Sequence, residues 1–121
     1  MLASSVYPSQ LSEDIKRNIV SSVVPHLYEE DKKGSRYQNL WLTYIKEERK
    51  SLYNEIVSSN ALLNVLVKEK FLDLEDVKAL IQLNKEKQVI DISSLLLEYE
   101  HSNFTEDEIT NFTMNDINKN L

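Results

Sequence analysis

The chain has 121 residues, a formal net charge of −6, 41% hydrophobic and 28% charged side chains, one glycine, two prolines and no cysteine. These proportions predict one soluble domain with a modest core, and the missing cysteines exclude disulfides and thiolate chemistry. No stretch approaches the roughly 20 apolar residues of a membrane helix, and no basic region precedes an apolar run at the start, so the expectation is a cytoplasmic protein.

Glycine and proline are the main backbone breakers. With three of them in the chain, the segments between read as helix, and the expected fold is all-α, a bundle of five or six helices. The first helix starts at Ser9 or Ser12, where Ser12 followed by Glu13 and Asp14 supplies a cap and two acids for the helix dipole. Leu11, Ile15, Ile19 and Val23 recur at spacing four and predict its buried stripe. Pro25 ends that helix and opens a short one toward Lys32, with Gly34 as the stop.

Ser35 and Gln38 form a capping box that launches the longest predicted helix, to about Val57. Tyr37, Trp41, Tyr44, Ile45 and Leu52 share one of its faces, and Leu42, Tyr53 and Ile56 another. A helix apolar on two faces is either central to a bundle or part of an oligomer seam. Tyr37, Trp41 and Tyr44 read as core residues or as a partner hot spot, because tryptophan and tyrosine dominate such spots. Leu42 and Tyr53 are candidate partner contacts on the second face. A monomer is the expectation, with a homodimer as the alternative.

Asn60 is the expected cap of a short apolar helix through Leu62, Leu63, Leu66 and Val67 to about Phe71. Asp73 caps the next, with Leu74, Val77, Leu80 and Ile81 on one face. A turn near Gln88 and Val89 leads to a last strong helix carrying Ile92, Leu95, Leu96 and Tyr99. After it the motif N-F-T-E-D-E-I at 103–109 is echoed by N-F-T-M-N-D-I at 111–117, each copy reading as one capped helical turn. The expected organisation is a helical domain over 1–101 and an acidic segment over 102–121.

Residues 77–100, and Val89 to Tyr99 above all, carry an acid before an aliphatic residue, paired leucines and an aromatic. This stretch resembles the helical pair of an ankyrin-type repeat, although Lys87 stands where a turn glycine is usual. The resemblance implies interaction with other proteins rather than catalysis.

Chemistry-bearing patterns are sparse. His26 and His101 lie far apart in sequence, and no phosphate loop or nucleophile elbow is present. No cofactor, metal or enzymatic activity is expected. Residues 1–97 carry 13 basic and 14 acidic side chains, whereas residues 98–121 carry Lys119 against six acids. Direct nucleic-acid binding is therefore not expected. Glu106, Asp107, Glu108 and Phe112 are the candidates for contact with a basic partner. The leading expectation is a non-enzymatic protein-interaction module, regulatory or inhibitory. The alternative is a small acidic inhibitor, of the kind phages and mobile elements encode, that occupies a basic nucleic-acid-binding groove on an enzyme.

Overall fold

In a computed structural model the backbone is described from Tyr7 to Lys119 and the side chains from Tyr7 to Phe112. Among the described residues seven α-helices appear in chain order: α1 (Glu13–Val23), α2 (Arg36–Glu48), α3 (Tyr53–Val57), α4 (Asn60–Lys68), α5 (Leu74–Lys87), α6 (Ile90–Asn103) and α7 (Glu106–Lys119). The described residues contain no strand, so the fold is all-α. Internal contacts separate the chain into two units, Met1–Phe71 and Leu72–Leu121. The expected boundary after His101 lies inside the second unit, which holds α5, α6 and α7.

In the first unit, Ser12 caps α1 by accepting from the Ile15 amide. The buried face of α1 is rotated from the expected stripe. Val20 and Val23 are fully buried, while Ile15 is exposed. Lys16 lies on the buried side, and its ammonium sits 5.1 Å from the Tyr44 ring centroid. The long stem of a lysine can line an apolar surface while its charge rests on a ring face, so a cation occupies a place that apolar spacing alone assigns to an aliphatic residue.

Pro25 lies in a 3₁₀ turn, Val24–His26, and a second such turn, Glu30–Lys32, replaces the expected short helix. Gly34 takes φ 72° just before α2. Ser35 then caps α2 by accepting from the Gln38 amide. The return arm of the box lands one residue early: the Gln38 side-chain Oε1 accepts from the Gly34 amide, and its Nε2 donates to the Leu27 carbonyl.

The single long helix to Val57 does not form. A 3₁₀ segment, Arg49–Leu52, separates α2 from α3. Local side chains compete for the carbonyls there: the Ser51 hydroxyl donates to the Glu48 carbonyl and Arg49 to that of Lys46. Ser59, not Asn60, caps α4. The helix ends in a Schellman motif, with Lys70 N–H bonded to Val67 O, Phe71 N–H to Leu66 O, and Lys70 at φ 57°.

In the second unit, α5 begins with a reciprocal capping box between Asp73 and Asp76. Gln88 at φ 54° reverses the chain into α6. Asn84 fastens this turn by donating to the Val89 carbonyl (3.0 Å) and the Ser93 hydroxyl (2.6 Å). Val77 and Leu80 of α5 and Ile92 and Leu96 of α6 are buried where the two helices pack together. The buried Tyr99 hydroxyl donates to the Leu72 carbonyl.

Thr105 and Glu108 form a complete capping box at the start of α7. The second copy of the repeat does not start a new turn, since the helix runs unbroken through Thr113. Extending an existing helix adds one bond per residue, whereas restarting at Thr113 would require a second costly nucleus.

Candidate functional site

Burial sorts the candidate residues first. Trp41 is 0% exposed, and Tyr37 and Tyr44 are buried with it. The Trp41 and Tyr44 rings meet edge to face at 5.8 Å, and Tyr7 meets Tyr37 at the same distance. Tyr37, Trp41 and Tyr44 belong to the buried core of the first unit and are not exposed as a surface hot spot, because their shared helix face is the one that closes inward. Ile56 is buried, and Leu42 and Tyr53 are half-buried. Glu106, Asp107 and Glu108 are exposed in the first turn of α7, and Phe112 is half-buried.

Candidate residues are thus divided between the units: Leu42 and Tyr53 in the first, Glu106, Asp107, Glu108 and Phe112 in the second.

The exposed apolar surface lies on a helix whose other face supplied the expected core. Ile90 is 79% exposed and Leu97 47%. Seven residues apart, they lie on one side of α6, two turns from each other. Ser94 and His101 share that side and are exposed. Asp91 and Glu98 run as a parallel acidic row next to it and are exposed too. On the opposite side Ile92, Leu96 and Tyr99 are buried. Sequence reasoning missed this surface, although a signal was present. Leu95, Leu96 and Leu97 are consecutive, and three successive residues span about 200° of a helix. That is wider than one buried stripe.

The outer side of α6 is held on a firm support. Asn84 pins its first turn, Tyr99 ties its last turns to Leu72, and Lys78 of α5 pairs at 3.1 Å with Glu100, which is 4% exposed. Charge is unevenly divided between the units. Residues 72–121 carry eleven acids against four lysines, whereas residues 1–71 carry nine acids against ten basic residues. Among the described residues Asp91, Glu98, Glu106 and Asp107 form no ion pair, so their charge is open to solvent.

Two concavities lie among the described residues. A groove of about 550 Å³ in the second unit is lined by Glu75, Lys78, Ile81, Gln82, Lys85 and Phe112. Its Lys78 is already committed to Glu100. In the first unit an apolar notch of about 230 Å³ is lined by Val24, Pro25, Tyr28, Ala61, Val65 and Lys68. The Lys68 ammonium stands 3.7 Å from the Tyr28 ring centroid, and the Tyr28 hydroxyl donates to Glu69 at 2.9 Å. Burial, with the hydrogen bond and negative charge of Glu69, holds the Tyr28 phenol well above its ordinary pKa.

His26 pairs with Glu29 at 2.8 Å in an exposed turn. Among the described residues no three His, Cys, Asp or Glu side chains gather closely enough to hold a metal ion. None of the described helices is long and apolar enough to cross a membrane.

Comparison with protein-family models, with curated proteins and with solved structures finds no match to the chain.

Proposed function

We propose that this chain is a non-enzymatic protein-interaction module, regulatory or inhibitory in role, whose contact surface is the outer side of α6. The supporting observation is Ile90, an aliphatic side chain 79% exposed on the same helix side as Leu97. Isolated exposed aliphatics are ordinary, but two on one side of a pinned helix, with only a small serine between them, favour association. The resemblance of residues 77–100 to an ankyrin-type helical pair points the same way.

The test is site-specific photo-crosslinking in native cells. A crosslinker replacing Leu97 should trap a discrete protein partner, and one replacing the exposed Asn18 of α1 should not. The Leu97 product should disappear when Ile90→Asp is added. Position 90 opens α6, where an acid is favourable, so that variant keeps its fold. Failure to trap anything at position 97, or a product indifferent to Ile90→Asp, would reject the reading.

The second reading is an acidic inhibitor seated in a basic nucleic-acid-binding groove, and the unpaired acids of the second unit favour it. It predicts that binding survives Ile90→Asp and is lost when Glu106, Asp107 and Glu108 are neutralised.

A further inference from the structure

We infer that the element received by α6 is a basic amphipathic helix of the partner, an inference that rests on the interaction reading above. Three features of α6 lead there. Ile90, Ser93, Ser94 and Leu97 stand at positions i, i+3, i+4 and i+7, the four corners of a hole that admits one side chain from a facing helix. Two aliphatic corners and two small hydroxyl corners leave room for an aliphatic knob. Ser93 is anchored by the hydrogen bond from Asn84, so one small corner is fixed in place. A flat or irregular partner would leave this hole unfilled.

The second feature is the row of Asp91 and Glu98 beside the hole. Both are exposed and form no ion pair among the described residues. A facing helix that inserts its apolar row brings its flanking positions alongside these acids, and lysine or arginine there is favoured. The unpaired acids of Glu106 and Asp107, shortly after the end of α6, extend the same sign of charge.

The third feature removes the simplest competing occupant. Helix α6, I-D-I-S-S-L-L-L-E-Y-E-H-S-N, contains no lysine or arginine. A second copy packed antiparallel through this side would place Asp91 and Glu98 alongside their own equivalents, and like charges so placed oppose association. An anionic membrane surface is disfavoured for the same reason.

The test uses the intact chain and two synthetic helical peptides with the same leucine row, one flanked by lysines and the other by glutamates. Fluorescence anisotropy should show the lysine peptide binding at least about tenfold more tightly at low salt, with the ratio falling toward one as salt screens the charges. Asp91→Lys with Glu98→Lys should reverse the preference. Ile90→Ser with Leu97→Ser should remove binding of both peptides while helical dichroism is unchanged.

Equal affinity for the two peptides, or a lysine preference that survives the charge reversal, overturns the inference. If Leu97 crosslinking still traps a partner in that event, the interaction reading stands and only the basic helix is wrong. If crosslinking fails as well, both are wrong.

Discussion

Three described positions take a left-handed φ, and one of them is glycine: Gly34 at 72°, Lys70 at 57° and Gln88 at 54°. An L side chain in this region meets the backbone and costs on the order of 1 kcal/mol. A Cβ at Gly34 would meet nothing within 4 Å, so Gly34→Ala should cost only the conformational term, about 1 kcal/mol. Gln88→Gly should relieve a similar strain and raise stability by up to about 1 kcal/mol. Denaturant melts of the two variants check both signs. A neutral Gly34→Ala would mean that the turn relaxes around the substitution.

Three tyrosines with raised pKa values are expected to set the alkaline limit. Burial raises Tyr37 and Tyr44, with Glu29 and Glu13 adding to the rise, and burial with Glu69 raises Tyr28. A phenol whose folded pKa exceeds its unfolded value stabilises the fold fully below about pH 10. That contribution is lost as pH climbs through the folded values. Melting temperature should therefore fall steeply above about pH 10, and tyrosinate absorbance should appear together with unfolding. Tyr28→Phe should soften the fall, and an unchanged profile in that variant would place the alkaline limit on other groups.

The caps and the turn before α6 govern stability among the elements. Asp73 and Thr105 each close a reciprocal box, and Asp73→Ala or Thr105→Ala should cost about 0.5–2 kcal/mol. Asn84 is 2% exposed and holds two acceptors on the far side of the turn. Asn84→Ala would remove one of two donors from the Val89 carbonyl, which keeps the Ser93 amide, and the donor to the Ser93 hydroxyl, at a cost of about 0.5–1.5 kcal/mol for each bond. Its effect should concentrate in α6 amides by hydrogen exchange. Equal loosening of α1 and α2 would show that Asn84 acts on the whole molecule instead.

Capping signals were legible because they are local. Ser12, Ser35, Asp73 and Thr105 could be identified from residues within one turn. The break at Arg49–Leu52 was not, because lysine, arginine and serine there are compatible with helix. Only the hydrogen bonds that Arg49 and Ser51 make reveal the competition.

Charge at the scale of the whole molecule follows the contact units more sharply than it follows chain position. Residues 72–121 carry most of the negative charge, and residues 1–71 are close to balanced. Like charges packed into 50 residues repel each other, and salt weakens that repulsion. Raising salt from about 20 to about 200 mM should slow hydrogen exchange in α5 and α6 more than in α2 and α4. A uniform response would show that the negative charge of the second unit does not limit its stability.

The sequence by itself determined the all-α class, the shared helix face of Tyr37, Trp41 and Ile45, and most helix starts. Each of these depends on spacing within a helix or on a cap a few residues away. Tertiary structure decided what required a neighbour: which side of α1 is buried, where the contact units divide, and which apolar side of α6 stays open. Ile90 and Leu97 are as aliphatic as Ile92 and Leu96, and periodicity cannot rank two apolar sides of one helix. Exposure follows from which side another element covers, and α5 packs against α6 where Ile92 and Leu96 are buried, leaving Ile90 and Leu97 at the surface.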